Sequence, residues 1–365
     1  MVACGPFSFW PVRMPAEPKV TVFIPVHNRE DYICVAVNSI LAQTFSDFEL
    51  LIVDDGSSDG TIEVLERYQD PRLRIERNPE NLGIPATRNH GLDKARGEYI
   101  ALLDSDDHAF PNRLHTQVRF LDANPDIAQI GSWCSFMDEH GQPIRKVRKQ
   151  PLDPDDVKAH MLFHCPLVNR TVMARTRVLR QYRYREEFPR CQDYDLHSRM
   201  IGEQRMGNLG QVLVCGREHP GRFTGQTEGL GKDRKKAIYR SLLAKVDIDA
   251  TDDDLERHHG LTREDDRTLP ADDYLDWAEA WLWRLLQANR QQPYFPLAAF
   301  KHAIGAVWAL NCWQAGKAMG RRRVLARLLR SRLSRGLPGN LDASFLFATL
   351  RNMPEPKISD QKPKP

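Results

Sequence analysis

Residues 99–107 have the sequence Tyr-Ile-Ala-Leu-Leu-Asp-Ser-Asp-Asp, in which an apolar run changes abruptly into an acidic cluster. The five apolar residues predict a buried β-strand, and the acidic residues predict the loop at its carboxyl end. Asp104 and Asp106 are separated by one residue, so on an extended chain their carboxylates point to the same side. This stretch therefore predicts a buried sheet with an oxygen-rich cluster at its edge.

The same order of apolar run and polar cluster occurs twice nearer the N-terminus. The runs at 20–24 and 50–53 are followed by polar clusters at 25–28 and 54–57. Segments with helical spacing lie between the runs. The predicted strands are 20–24, 50–53, 73–75, 99–103 and 127–132, and the predicted helices are 31–42, a helix from 61, 85–95 and 112–123. This alternation predicts an α/β fold with a mainly parallel, Rossmann-like sheet and helices on both faces.

The three polar clusters are expected to meet at one rim of the sheet. Ligands of such sheets bind beyond the carboxyl ends of the strands. The predicted fold would thus bring residues that are far apart in sequence into one binding site.

Composition limits the class of protein. The chain has 365 residues, of which 41% are hydrophobic and 28% charged, and its formal net charge is +3. These values indicate one large globular domain with an appendage, and they exclude a fully disordered chain and a wholly basic nucleic-acid binder. The seven cysteines are odd in number and scattered, without a C-x-x-C pair. We therefore expect reduced thiols in a cytoplasmic protein, with neither a disulfide framework nor a structural zinc site.

The pattern changes near residue 224, after which strand signals disappear. Helical spacing continues at 272–289, 296–316 and 321–335, and the last residues are rich in proline and lysine. We divide the chain into an N-terminal tail (1–18), an α/β domain (19–223), a helical C-terminal extension (224–345) and a tail expected to be disordered (346–365).

Two segments of the extension bear on membranes. The uncharged stretch 303–316 has 14 residues, whereas a spanning helix needs about 20, so it predicts a buried helix. Segment 321–335 contains seven arginines and no acid, with leucines at helical spacing. It predicts either peripheral contact with the anionic inner face of a membrane or an ordinary helix that packs its leucines on the domain.

Three sites have residues suited to chemistry. Asp104 and Asp106 suit Mg²⁺ or Mn²⁺ completed by substrate phosphates, although an acidic turn that caps the next helix would look the same. Arg88 suits a phosphate or carboxylate, or is an ordinary surface arginine. Asp193 is a candidate general base or a helix N-cap, and Asp195 is expected to be structural.

Other signals point away from common nucleotide and metal sites. No G-x-G-x-x-G follows the first strand, and the P-loop-like segment 225–232 has the wrong spacing. His160 and His164 are four residues apart, but Met161 replaces the glutamate of H-E-x-x-H. We expect this pair to pack or to line a cleft, and His27 and His90 to make local hydrogen bonds.

Five blocks of the sequence resemble family 2 glycosyltransferases. They are 20–30, 39–45, 53–61, 81–91 and 97–107, and they occur in the family's order within about 19–223, roughly the first 60% of the chain. The resemblance implies a GT-A fold, a nucleotide-diphosphate sugar donor and a divalent metal, Mn²⁺ or Mg²⁺.

The resemblance also implies roles for individual residues. Four residues would line the nucleotide pocket: Pro25, Val26, Asn28 and Glu30. Asp55 would hydrogen-bond the base, which is most often uracil, and Arg88 would lie near the base or the diphosphate. Asp104 would contact the ribose or a metal-bound water, and Asp106 would bind the metal.

The remaining implied roles concern catalysis and the diphosphate. Asp193 occupies the position of the family's base, and Arg217 and His219 loosely match a loop that closes over the diphosphate. The chain departs from the family pattern at Gln192, where a glutamate is usual, and at His27, where a tyrosine is usual.

Together these expectations define an inverting, metal-dependent glycosyltransferase of the hexosyltransferase class. It would move a sugar from a UDP-linked donor to a hydroxyl of a glycan or lipid-linked acceptor in polysaccharide biosynthesis, with Asp193 as general base. A single evident base favours direct displacement. The alternatives are a sugar-nucleotide-binding protein without turnover and a nucleotidyltransferase, which would want a basic, glycine-rich loop where residues 25–28 stand.

Overall fold

The structure is a computed structural model that describes residues 17–219 and 228–334. Nearly all of the expected N-terminal tail, the expected boundary at 223/224 and the expected disordered tail lie outside these residues.

The first half of the sheet is parallel. Its strands are β1 (Val20–Val26), β2 (Phe48–Asp54), β3 (Leu73–Arg77) and β4 (Tyr99–Leu102), in the spatial order β3-β2-β1-β4. The helices between them are α1 (Ile33–Leu41), α2 (Thr61–Leu65) and α3 (Ile84–Lys94). The predicted alternation of strand and helix is confirmed here to within about two residues at the element ends.

The second half of the sheet is mixed, which the sequence did not predict. It adds β5 (His108–Ala109), β6 (Ile127–Met137), β7 (Pro143–Arg148), β8 (Met173–Arg175) and β9 (Arg205–Arg217). The spatial order continues from β4 as β8-β6-β9-β5, with β7 beside β6. Only the β6–β9 pair is parallel among these added pairings in the described residues. The α/β class is confirmed, but "mainly parallel" holds only for the first four strands.

Helices surround the second half and form the extension. Those of the α/β domain are α4 (Arg113–Ala123), α5 (Pro154–His160), α6 (Thr176–Tyr182) and α7 (Gln192–Met200). The extension has α8 (Glu228–Ala244), α9 (Asp252–Gly260), α10 (Ala271–Gln291), α11 (Leu297–Met319) and α12 (Arg321–Arg330). Short 3₁₀ turns lie at Asn169–Thr171 and Glu264–Asp266.

The strands β1, β2 and β4 are buried on both faces, which explains their largely apolar sequences. Alternate residues of a strand face opposite sides: Val22 and Ile24 pack with α1 and α4, whereas Phe23 belongs to the core on the other face. That second core continues without a break into the extension as far as Trp308 and Leu333. The extension therefore completes the core of the α/β domain.

His258 joins the two parts through buried hydrogen bonds. Its Nε2 donates to the Leu162 carbonyl at 2.9 Å, and its Nδ1 accepts from Trp281 Nε1 at 3.0 Å. Its ring stacks on Phe163, with the ring centroids 5.7 Å apart. Burial lowers the pKa of His258 to about 4, because the charged ring would lose its hydration.

The apolar segment 303–316 lies inside α11, as predicted for a buried helix. Trp308 is fully buried there, and Asn311 bonds the Leu261 carbonyl at 2.9 Å. Across residues 17–219 and 228–334, no helix combines the length and the apolar character needed to cross a membrane.

Within residues 17–219 and 228–334, the cysteines follow the expectation with one exception. Five of them are free thiols: Cys134, Cys165, Cys191, Cys215 and Cys312. Cys34 is disulfide-bonded, so the expectation of reduced thiols throughout is wrong at this position.

Candidate active site

The loops after β1 and β2 are tied together at the carboxyl edge of the sheet. Asn28 has a left-handed φ of 51°, and its backbone N–H donates to Ser57 Oγ at 2.9 Å. Its side-chain Oδ1 accepts from the Ser58 N–H at 2.9 Å. Asparagine tolerates this conformation better than most residues. The first two polar clusters thus lie together, as the fold prediction required.

Glu30 extends this connection. Its carboxylate accepts from the Gly60 N–H at 2.8 Å, and its own N–H donates to Asp59 at 3.2 Å. A Cβ at position 60 would lie 2.5 Å from the Glu30 carboxylate, so a larger residue there would make the Glu30 side chain move. Glu30 therefore orders this edge of the sheet, and the Glu30 side chain itself remains exposed.

Asp55 is buried and its carboxylate is already bonded within the protein. It accepts from Asn78 Nδ2 at 2.8 Å and from the backbone N–H groups of Leu82 and Gly83 at 2.8 and 3.0 Å. The Asp55 N–H itself donates to the Val26 carbonyl at 2.8 Å. These bonds order the loop before α3. The expected contact of Asp55 with a base stays a prediction, as does the lining role of Val26 and its half-buried neighbour Pro25.

His27 makes the local hydrogen bonds expected of it. Its Nδ1 lies 2.8 Å from the Asp55 carbonyl and must donate, because a carbonyl only accepts. Its Nε2 then accepts from the side-chain amides of Asn28 and Asn81 at 3.2 and 3.1 Å. His90 likewise bonds the side chain of Asn78 at 2.6 Å.

The acidic cluster after β4 lies next to a buried arginine. Asp104 is 33% exposed, and its two oxygens lie 3.8 Å from Arg88 and 3.6 Å from Arg170. Asp107 is fully buried, and it accepts from Arg170 at 2.5 Å and from the Arg217 N–H at 3.0 Å. Arg170 thus holds the loop from beneath. Sequence reasoning missed Arg170, because no motif surrounds it and its partner Asp107 is distant in the sequence.

Arg217 and His219 meet this cluster at the end of β9. Arg217 Nε donates to the Asp106 carbonyl at 3.0 Å, and His219 Nε2 lies 2.9 Å from an Asp106 carboxylate oxygen. The ring of Tyr32 lies between them, 5.0 Å from the Arg217 guanidinium and 4.9 Å from the His219 ring. Two residues assigned loosely to a diphosphate loop therefore lie beside the candidate metal ligand.

The cluster has a donor set that fits a divalent metal shared with a substrate. Asp104 and Asp106 supply two partly exposed carboxylates, and one Asp106 oxygen is bonded to His219. Within the described residues, no group of three or more His, Cys, Asp or Glu side chains is gathered as a complete metal site. Mg²⁺ and Mn²⁺ commonly take only one or two protein carboxylates and complete their shell with phosphates and water.

Arg88 is buried rather than at the surface. Its guanidinium lies 5.3 Å from the ring of Tyr184, and its Nη1 has no hydrogen-bond partner in the described part of the chain. A buried donor left unbonded costs free energy, so a bound anion would satisfy it.

Asp193 lies in the first turn of α7 and is half-buried. Cys191, with a left-handed φ of 56°, occupies the N-cap position, so Asp193 is not the cap. One oxygen of Asp193 accepts from the Tyr194 N–H at 2.9 Å. Asp195 is buried between Arg185 and Arg199, and its predicted structural role is confirmed.

Asp193 and Asp104 lie within electrostatic range of the same buried residue. Both Asp193 and Asp104 act electrostatically on the buried Tyr184, and burial raises the pKa of that phenol. Asp193 and Arg88 both act on His197, whose pKa burial lowers to about 4. Tyr184 and His197 thus connect Asp193 electrostatically with Asp104 and Arg88. The pair of His160 and His164 packs edge to face, with ring centroids 5.6 Å apart.

Comparison with solved structures identifies the fold. The S. aureus TarS 1–349 structure in complex with UDP-GlcNAc superposes with a TM-score of 0.54 at 19% identity, and the match covers 86% of this chain and 92% of that one. The coverage extends well into the helical extension. The fold is that of the GT-A glycosyltransferases.

Comparison of sequences identifies the family. The model of glycosyl transferase family 2 matches residues 21–192. An uncharacterized glycosyltransferase of Methanocaldococcus jannaschii is 34% identical over 234 residues, which are 63% of this chain and 79% of the relative. The chain therefore belongs to family 2 of the glycosyltransferases, and it is a transferase.

A third relative is named for a polysaccharide. It is a Bacillus subtilis glycosyltransferase, TuaG, provisionally named for teichuronic acid biosynthesis. It is 35% identical over 153 residues, which are 41% of this chain and 60% of the relative.

Proposed function

We propose that this protein is an inverting, metal-dependent transferase that moves a sugar from a UDP-linked donor to a hydroxyl of a glycan or lipid-linked acceptor. We place a cleft between Asp104 and Asp106 on one side and Asp193 on the other. The observation that carries the proposal is the buried, unbonded Nη1 of Arg88, whose guanidinium lies 3.8 Å from Asp104 and, like Asp193, acts electrostatically on the buried His197.

The acidic side of the cleft is the donor side. A metal held by Asp106, with Asp104 nearby, would stabilise the charge that develops on the leaving diphosphate. Arg88 would bond the diphosphate, and its burial strengthens such a bond. Arg217 and His219 would close over the same group. Asn28, Glu30 and Asp55 would form the nucleotide pocket together with Pro25 and Val26.

Asp193 is the general base in this proposal. It would accept the proton of the acceptor hydroxyl as that oxygen attacks the anomeric carbon. The leaving diphosphate would lie on the opposite side, so one displacement would invert the configuration. We assign no second carboxylate as a nucleophile, which favours this direct displacement.

Donor hydrolysis tests the function. The full chain is incubated with UDP-sugars with and without Mn²⁺, and nucleotide release is measured together with the thermal shift that each donor produces. Mn²⁺-dependent release is expected. Binding of a donor without release of the nucleotide, for every UDP-sugar tried, would favour a binding protein. Release of pyrophosphate would favour a nucleotidyltransferase.

A membrane-facing role for α12 belongs to the same proposal. Leu325 and Leu329 are 55% and 72% exposed, and Arg322 lies on the same side of the helix. On the other side, Val324 is buried and Arg323 pairs with Asp272 at 3.1 Å. The helix therefore packs one face on α10 and leaves leucines and arginine outward, a pattern typical of contact with anionic lipid. We propose a cytoplasmic enzyme at the inner membrane face, without a role for nucleic acid.

A further inference from the structure

One face of α8 lies against the helix that holds the candidate base. Gly231, Lys235 and Tyr239 are spaced by four residues and so share that face. Cys191 Sγ contacts the Gly231 carbonyl at 3.6 Å, and the Tyr239 ring lies 6.2 Å from the Tyr194 ring. Lys235 lies between these two contacts and therefore faces the first turn of α7.

Lys235 differs from the lysines next to it. Lys232 and Lys236 both pair with Glu256 of α9. Lys235 has neither a hydrogen bond nor an ion pair to any residue in the described ranges, although it is half-buried. Burial and the charge of Arg263 lower the pKa of Lys235. A partly buried ammonium without a bonded partner is unfavourable unless an anion binds it.

The charges around Lys235 place it in the neighbourhood of Asp193 and Arg263. Those that act on it are Arg263, Asp266 and Asp193, together with Cys191. A carboxylate oxygen of Asp266 also lies 3.2 Å from Nε2 of His259. Lys235 therefore lies on the α8 face that packs against the first turn of α7, near Asp193, to which the acceptor hydroxyl must come.

We infer that Lys235 and Arg263 of the helical extension bind a phosphate group of the acceptor, a few bonds from the hydroxyl that Asp193 deprotonates. The inference rests on the proposed role of Asp193. Arg263 is exposed and follows α9, and its planar guanidinium suits two phosphate oxygens, while Lys235 supplies a point charge. The extension thus contributes to acceptor recognition as well as to the core. The phosphate belongs either to a phosphodiester polymer or to a lipid-linked sugar phosphate.

Binding of phosphate probes to the full chain tests the inference. UDP and Mn²⁺ are kept saturating so that the donor side is filled, and inorganic phosphate, glycerol 1-phosphate, farnesyl phosphate and neutral glycerol are titrated by calorimetry. The phosphate probes are expected to bind and glycerol is not. Lys235→Met and Arg263→Met should weaken phosphate binding at least fivefold. Lys236→Met, one residue away and paired with Glu256, should leave it unchanged.

Each outcome decides between the possibilities. Equal phosphate binding in Lys235→Met and the wild type, or no phosphate binding at all, would overturn the inference. Tighter binding of glycerol 1-phosphate supports a polymer acceptor, and tighter binding of farnesyl phosphate supports a lipid-linked one. Wild-type donor hydrolysis, measured separately, tests the proposed function. If donor hydrolysis were absent while phosphate binding still depended on Lys235, the transferase mechanism would be contradicted and the phosphate site would remain.

Discussion

Asp193 and Asp195 are two residues apart in α7, yet their surroundings differ completely. Asp193 is half-buried and faces the cleft, with one oxygen bonded only to its neighbour's N–H. Asp195 is buried and bonded by Arg185 and Arg199. One helical turn therefore supplies a catalytic candidate and a structural residue, and the two make a matched pair for mutagenesis.

The substitution Asp193→Asn should lower the transfer rate at saturation by roughly 10²-fold or more, the usual scale for a lost general base, because an amide cannot accept the proton. Donor affinity and melting temperature should change little. Asp195→Asn should do the opposite, with a loss of about 1–3 kcal/mol in the free energy of unfolding. Kinetics and thermal unfolding of both variants give the comparison. If Asp193→Asn weakened donor binding and kept its rate, the residue would be part of the donor site.

Asp106→Ala should abolish Mn²⁺-dependent turnover and keep the fold, because the carboxylate lies at a partly exposed strand end. Turnover is measured across a Mn²⁺ titration, and circular dichroism checks the fold. Asp126→Ala is the control, since that exposed carboxylate pairs only with Arg205, far from the cleft. Normal activity of Asp106→Ala at saturating Mn²⁺ would remove Asp106 from the metal site.

At the residue scale, sequence reasoning could name candidates only where the chemically suited residues lie within one local stretch. Asp104, Asp106 and Asp193 stand directly after or inside recognisable blocks. Arg170 was missed because its partner Asp107 is 63 residues away, and only the pairing of β4 with β8 brings them together. The protein bonds of Asp55 could not be predicted either, since their donors, Asn78, Leu82 and Gly83, are 23, 27 and 28 residues away in the sequence.

Among the elements, α12 gives the clearest test of membrane contact. Leu325→Ser with Leu329→Ser should reduce sedimentation with anionic liposomes severalfold, because the exposed apolar face is lost. Salt should weaken the binding of the wild type, since the arginines contribute by charge. Val324 and Leu328, which face inward, are left intact so that the helix stays packed. Equal sedimentation of both proteins, or none, would leave α12 as a packing helix.

The elements that sequence reasoning missed are those whose stability comes from distant partners. β7 is rich in arginine and lysine, and β8 has three residues. β9 contains Gly207, Gly210 and Gly216, which interrupt a strand pattern, but it pairs with β6 along most of its length. The parallel strands were predicted because burial on both faces makes them continuously apolar, a property that is local in the sequence.

For the whole molecule, buried histidines predict acid sensitivity. The pKa of His258 falls to about 4 on folding, from about 6.5 in the unfolded chain. As the pH falls, the unfolded state therefore binds the proton first. The contribution of neutral His258 to the free energy of unfolding is complete above pH 6.5 and is lost as the pH falls towards 4. The loss is about 1.4 kcal/mol per pH unit for one such group. Burial also lowers the pKa of His160, His197 and His259, which adds to the slope.

His258→Gln tests this whole-molecule effect. Glutamine can donate to the Leu162 carbonyl and accept from Trp281, so the variant should fold. Its free energy of unfolding is measured by urea denaturation between pH 4 and 7. The slope of this free energy against pH should correspond to about one fewer proton taken up on unfolding than in the wild type. An unchanged slope would mean that His258 does not resist protonation in the folded protein.

The unbroken core between the sheet and the extension has a consequence for how such enzymes diversify. Phe23 and Leu51 of the sheet belong to the same apolar cluster as Trp308 of α11 and Leu333. A chimera that joined this sheet to the helices of a relative would have to match side-chain shapes across the whole seam, since cores are packed to near-crystalline density. Exchange of intact catalytic modules is thus disfavoured. New acceptor preferences are expected to arise through point changes on surfaces of α8 and α9 that do not enter the core.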